Sequence, residues 1–321
     1  MTSGKSDPTW IWSSWWNIVY WENYWYEKNN EFGGIHEKNR TEKIRSDVFF
    51  ILLCDIMKAV IVAAWFGTRT LPITKTIPKE MLPVGDKPVI QYIVEWCVQA
   101  GINDIIMITS QQKKALEDYF DKNYELEDAL QKKGKLDLLE LINKPKNLAH
   151  YTFVKQTQIL WTAHAILQIE PWIDEDYFMV IFGDAIYPDH MYTDLVKQLS
   201  EKKQPIICAH EVPKEDTYRY GVLKLDWEKI VWIVEQPKVE DAPSNLVCNW
   251  VYILPKSIFP LLKTLPIDPR RGEYLLPDAL NILMKQMDVS VCKTEPFRDI
   301  WSIDLRMKAN NRLYTNGKLF D

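Results

Sequence analysis

Lys58-Ala59-Val60-Ile61-Val62-Ala63-Ala64-Trp65-Phe66-Gly67-Thr68-Arg69 and, ten residues on, Lys79-Glu80-Met81-Leu82-Pro83 decide how this chain folds. The continuous apolar, β-branched run reads as a buried parallel strand, and it stops in a small-residue loop with one Arg, a Lys following close behind. Such an arrangement is how a phosphate cradle is built. Backbone N–H groups reach phosphate oxygens only where side chains are absent, and the two cations neutralise the charge. Trp65 puts a large, rigid side chain into that loop.

The composition gives a reason. The chain has 14 Trp and 11 Gly, whereas roughly 22 Gly are expected at about 7% of such a length. The two counts together come close to that expectation. Local patterns agree: Asp226-Trp227 separates the strand-like runs Val222-Leu223-Lys224-Leu225 and Lys229-Ile230-Val231, a place where Asp-Gly is the strongest hairpin signal and Trp at positive φ is strained. Pro171-Trp172 falls where Pro-Gly would make a turn. The expectation is a gene in which UGA encodes glycine, translated with UGA as Trp; UGG codons at these positions would exclude it.

At 321 residues the chain suits one large α/β domain. A net charge of −5 argues against a nucleic-acid backbone as partner. Lys113-Lys114 and Lys132-Lys133 fall on expected helices as solvated faces. Cys54, Cys97, Cys208, Cys248 and Cys292 are scattered and form no C-x-x-C pair, so neither a disulfide framework nor a zinc site is indicated, and a reducing cytoplasm fits. No apolar run is long enough for a membrane span. The five His are isolated and read as structural.

Residues 1–56 differ from the rest. Six of the Trp lie in the first 25 residues, and the segment has no periodicity, so it reads as a disordered or spurious extension ahead of a catalytic domain over 57–321. Met57 is a candidate initiator. From Lys58 strands and helices alternate: a helix from Pro88 towards Gly101, a strand over Asp104–Thr109, helices near 113–120, 125–132 and 136–142, and strands from Tyr151 and from Tyr177 to Phe182. A helix over 193–200, a strand over 205–210, the hairpin, a strand over 247–254 and a long helix from Glu273 to Met287 follow. This order predicts a three-layer α/β/α domain with a mostly parallel sheet, and ligands belong at the carboxyl ends of its strands. Asp184, at the end of a strand, and Asp299, at the start of the last helix, offer hard oxygen donors suited to Mg²⁺ beside phosphates. Position alone leaves turn-forming and metal-binding roles both open.

The loop resembles the G-x-G-T-R signature of the sugar nucleotidyltransferases, with their later P-K-E-M-L-P and with Trp65 at the first glycine. The similarity extends over nearly all of 57–310 and implies the Rossmann-like nucleotide-diphospho-sugar transferase fold. Phe182-Gly183-Asp184 and Arg298-Asp299-Ile300-Trp301 resemble the two metal-binding motifs. The insert Leu116-Glu117-Asp118-Tyr119-Phe120-Asp121 with Tyr124-Glu125-Leu126-Glu127, and Ala242-Pro243-Ser244-Asn245-Leu246, resemble the uridylyl-transferring branch.

From this resemblance follow UTP and glucose-1-phosphate as substrates, Mg²⁺ as cofactor, neither nucleic acid nor membrane as partner, and a homo-oligomer. It implies that Ala63, Ala64, Trp65, Gly67 and Thr68 cradle the nucleotide and that Gln156 and Trp161 bind the base. Arg69 would hold the β and γ phosphates and Lys79 would bridge the two reacting phosphates. Asp184 and Asp299 would carry the metal, and Tyr220, Gly221, Glu235 and Gln236 would face the sugar. Gln236 stands where the family has Lys, which leaves that phosphate contact to Gln236 or to Lys238. A thymidylyl relative, and a non-catalytic sugar-nucleotide sensor in which Trp65, Trp161 and Trp301 are genuine, are the alternatives. A dinucleotide-binding dehydrogenase fits poorly, because Thr109-Ser110 and no acidic residue closes the second strand.

Overall fold

The computed structural model describes residues 57–320 except Glu228, Arg270, Arg271, Phe297, Ile300 and Trp301, with the backbone alone for Arg298 and Asp299. The expected extension over 1–56, Cys54 within it and Trp301 lie outside the described residues.

The strands are β1 (Lys58–Val62), β2 (Pro83–Val84), β3 (Lys87–Pro88), β4 (Asp104–Thr109), β5 (His150–Lys155), β6 (Tyr177–Phe182), β7 (Ala185–Ile186), β8 (Ile206–Glu211), β9 (Gly221–Asp226), β10 (Lys229–Glu235), β11 (Leu246–Pro255), β12 (Ser290–Lys293) and β13 (Arg298–Asp299). Nine of them form one sheet in the order β5-β4-β1-β6-β11-β8-β12-β10-β9. β5, β4, β1 and β6 run parallel. Beyond them the expectation of a mostly parallel sheet is corrected. β11 is antiparallel to both β6 and β8, and β10 is antiparallel to β9 and β12, which leaves a mixed half. Continuous apolar runs mark burial on both faces but carry no direction, so β11 reads the same either way.

Alternate residues of each strand enter two separate cores. Ala59, Ile61, Ile105 and Met107 face the helices Val89–Gln99 and Met191–Lys202. Val60, Ile106 and Ile108 face the helices Trp161–Leu167, Ile258–Thr264 and Leu276–Leu283. The period of two in strands therefore produces three layers. The expected helix over Glu273–Met287 is shorter, because Pro277 occupies its first turn and Glu273 forms an isolated bridge with Asp268. Asp299 is not at a helix start either. It lies in β13, and the last helix begins at Ile303 with Ser302 Oγ accepting from Leu305 N–H at 3.3 Å.

The hairpin between β9 and β10 forms as its sequence predicts, and Trp227 in its turn has φ +55° and is 95% exposed. Trp172 corrects the parallel expectation at Pro171: it closes a short 3-10 turn, Glu170–Trp172, and is not left-handed. A side chain with no packing partner and a left-handed backbone costs on the order of 1 kcal/mol. Trp227→Gly should therefore stabilise the fold by about 1 kcal/mol and raise Tm by about 2–4 °C in thermal melts, whereas Trp172→Gly should not.

Candidate active site

The parallel strands end together. Ala63 N–H donates to Ile108 O at 2.8 Å, Gly183 N–H to Val62 O at 3.0 Å and Gln156 N–H to Thr109 O at 2.8 Å. These are the last rungs of the ladder. Past them the loops after β1, β5 and β6 open into one cavity of about 360 Å³, lined by Ala64, Trp65, Gly67, Thr68, Arg69, Lys79, Gln156, Trp161 and Asp184 from this half of the sheet, and by Arg219, Gly221, Glu235, Gln236 and Trp250 from the other. Nearly every residue singled out from the sequence is here. Ala63 is not: it is buried in the core beneath, its methyl beside Gly183. Tyr220 is not among the lining residues either, since its ring lies against His210 and Trp250 while its neighbours Arg219 and Gly221 reach the cavity.

The loop is organised around one carbonyl. Gly67 O accepts from Thr70 N–H and Thr70 Oγ1, both at 3.1 Å, and from Thr74 Oγ1. A Cβ at Gly67 would come within 2.8 Å of Thr74 Cγ2 and 3.1 Å of Lys79 Cβ, so only glycine lets the loop close on the turn that carries Lys79. That turn is the 3-10 segment Lys79–Met81. Lys79 Nζ donates to Asp184 Oδ2 at 2.5 Å, with both side chains 14% exposed. Burial pulls the Lys79 ammonium down, but the carboxylates of Asp184 and Glu80 outweigh it and hold it above its ordinary range; Lys79 is cationic at neutral pH.

Asp184 leads directly into β7, which pairs antiparallel with β13 so that Asp299 stands opposite Ala185. Backbone register thus brings the two predicted carboxylate positions to adjoining rungs. Among the described residues no cluster of three His, Cys, Asp or Glu is present. The hard oxygens of Asp184 suit a divalent ion that takes its other donors from phosphates and water.

Gln156 is buried and held in place: its Nε2 donates to Trp161 O at 3.4 Å and lies 2.9 Å from His164 Nδ1. Burial, against a hydrogen bond to the Gln158 backbone, lowers the His164 pKa, so the neutral ring can accept from the amide. On the opposite wall Glu235 Oε2 lies over Gly221, 2.9 Å from where a Cβ would be. Gln236 has φ +46° and lines the cavity, whereas Lys238 is exposed and does not. Sequence reasoning missed Arg219, whose position before the predicted Tyr220-Gly221 was the available signal. It also missed Trp250.

Three indoles occupy the cavity wall. Trp65 meets Trp161 edge-on with centroids 4.5 Å apart, and Trp250 lies against Phe182 at 6.1 Å and Tyr220 at 5.9 Å. Trp161 has φ +72° and Trp250 φ +61°. Trp250 sits where the β11 register shifts against β8, between Cys248 and Tyr252.

The nucleotidyl transferase family model matches residues 58–314. The chain belongs to that family. Enzymes named UTP–glucose-1-phosphate uridylyltransferase from Staphylococcus haemolyticus and Staphylococcus epidermidis are 44% and 41% identical to it over 243 residues, 73% of this chain and 83% of theirs. Among solved structures, a UTP-bound UGPase from Acinetobacter baumannii superposes with a TM-score of 0.75 at 33% identity, covering 82% of this chain and 94% of that one. A UDP-glucose pyrophosphorylase complexed with UDP-glucose gives 0.70 at 34%, covering 81% and 99%. No described helix of this nucleotidyl transferase is long and apolar enough to cross a membrane.

His210, on β8 beneath Tyr220, has its pKa lowered by burial to about 4. The unfolded chain takes up this proton near pH 6.5 and the folded chain does not. Stability is therefore fully present above about pH 6.5 and lost as pH falls towards 4. Urea unfolding between pH 7 and 4.5 should show this loss, and a folded His210→Gln variant should show a flatter profile.

Proposed function

We propose that this protein, with glycine at the Trp positions named below, transfers the uridylyl group of UTP to glucose-1-phosphate, releasing pyrophosphate and forming UDP-glucose. The observation that carries this reading is the Lys79–Asp184 pair at the mouth of a glycine loop bearing Arg69, with a buried amide, Gln156, on the same wall. The names of the relatives support UTP over other nucleotides. So does the likeness to a solved structure described as a glucose-1-phosphate thymidylyltransferase from Bacillus anthracis, which is weaker at 25% identity and a TM-score of 0.64.

In this reading a phosphate oxygen of glucose-1-phosphate attacks the α-phosphorus of UTP in line as the bond to pyrophosphate breaks, without a protein nucleophile. Arg69 holds the β and γ phosphates in its planar fork. Lys79, fixed on one side by Asp184, directs its other N–H groups at the reacting phosphates and stabilises charge that develops there. The Gln156 amide reads the base edge, and Glu235 receives sugar hydroxyls. Asp184 and Asp299 are the residues that would hold Mg²⁺, which supplies charge neutralisation beside the phosphates when bound. In the form with glycine at the Trp positions named below, Asp184→Asn should lower the rate of pyrophosphate release by at least 10²-fold with an unchanged circular-dichroism spectrum; an unaltered rate would remove Asp184 from the site.

A second reading, a sugar-nucleotide-binding protein without activity, is favoured by one observation: Trp65, Trp161 and Trp250 project rigid rings into the cavity. We infer instead that these positions are glycine in the protein the cell uses. Among the described residues five non-glycine positions have positive φ, and three of them are Trp: 161, 227 and 250. An aromatic residue gains nothing from that backbone, and glycine pays no strain there. A protein with glycine at Trp65, Trp96, Trp161, Trp172, Trp227, Trp232, Trp250 and Trp301 should bind UTP in calorimetry and release pyrophosphate, while the Trp form should do neither. Equal activity in the two forms would overturn the placement of the triphosphate in this loop, and UGG codons would overturn the glycine assignment.

A further inference from the structure

Glu80 and Lys113 form an ion pair away from the cavity, and nothing in the reaction proposed above uses it. The adjacent lysines at 113 and 114 read from the sequence as a solvated face. Lys114 is exposed, but Lys113 is buried, a correction that the pair explains. Lys113 Nζ donates to both oxygens of Glu80, at 2.6 and 2.8 Å, with the Glu80 side chain 0% and the Lys113 side chain 6% exposed. We propose that this pair is a positioning device for nucleotidyl transfer: it locks the turn that aims Lys79 and supports the glycine that aims Asp184. The proposal rests on the reaction assigned above.

Three contacts carry it. Glu80 follows Lys79 within a single 3-10 turn, so one side chain points into the cavity and the next into the protein. That turn is otherwise closed by two backbone bonds, Met81 N–H to Pro78 O at 2.9 Å and Leu82 N–H to Lys79 O at 3.1 Å. Glu80 Cγ lies 3.2 Å from where a Gly183 Cβ would be, so its stem packs flat on the backbone leading to Asp184. Lys113 lies in the turn after β4, where its N–H donates to Ser110 O at 3.0 Å, and so ties both to the segment that leaves the parallel sheet. Apolar residues would fill the same space without removing two ions from water. What the ions add is a fixed geometry: one ammonium between two oxygens sets the position of Glu80, and with it that of its neighbour Lys79.

Two measurements test this. In the glycine form of the protein, Lys113→Met and Glu80→Gln should each lower kcat for pyrophosphate release at least tenfold while the KM for UTP changes less than threefold, assayed well below each variant's Tm. Lys113→Arg should restore part of the rate. In the chain as it stands, acetylation of Lys79 by acetic anhydride, followed by mass spectrometry, should be at least threefold faster in Lys113→Met than in the parent, with Lys263 as an unchanged internal reference. A lowered Tm with unchanged kcat, or an unchanged Lys79 labelling rate, overturns the proposal and makes the pair a structural tie only. If the glycine form releases no pyrophosphate, the reaction assigned above falls and the labelling alone decides on positioning. If Lys113→Met does not fold, Glu80→Gln, which keeps the shape of the side chain, carries both measurements.

Discussion

The site depends on the parallel pairing of β1 with β4 and β6. In register, Val62 stands opposite Ile108 on one side and Phe182 on the other, so three strands run out of ladder at the same level. Parallel strands all point one way, and the backbone groups beyond their last rungs must find partners elsewhere. The β1 loop does so by folding onto Gly67 O, and the β6 loop by entering the small ladder of β7 with β13. Arg69, Lys79 and Asp184 reach a common cavity because the sheet ends there.

Local patterns made much of this legible. β4 and β6 match the runs read for them, because β-branched residues buried on both sides leave no other reading. Helix ends near Pro88 and Gly101 are similarly plain, as proline and glycine restrict backbone angles directly. Strand direction was not legible, and neither was the fate of Lys113, whose partner lies 33 residues earlier in the chain. A lysine is read as solvated unless its counter-ion is known. Tyr220 misled for a related reason: it is the extended residue that joins the 3-10 segment Lys214–Arg219 to β9, and the motif does not say which of Arg219, Tyr220 and Gly221 is turned inward.

The tryptophans show what backbone geometry adds to composition. An excess of Trp over Gly raises suspicion for the chain as a whole, and φ angles sort the positions. Trp161, Trp227 and Trp250 are left-handed, while Trp65 is conspicuous only through the space it occupies, and Trp172 through neither. Trp96 lies on the helix Val89–Gln99, half-buried against Tyr92 and Tyr192. A position inside a helix asks for no glycine, and nothing in its packing points to one.

The short ladder between β7 and β13 has a consequence for the order in which the protein comes into being. Asp184 belongs to the middle of the chain, but the strand facing it arrives at residues 298–299, and the helix that follows, Ile303–Asn316, returns to the β2–β3 turn, where Asn310 Oδ1 accepts from Gly85 N–H at 2.8 Å. Synthesis therefore delivers the half of the sheet that ends at the cavity well before Asp299 exists. The first and last parts of this domain are stitched together at its site, so a nascent or clipped chain can hold a nearly complete sheet and still lack the second acidic position.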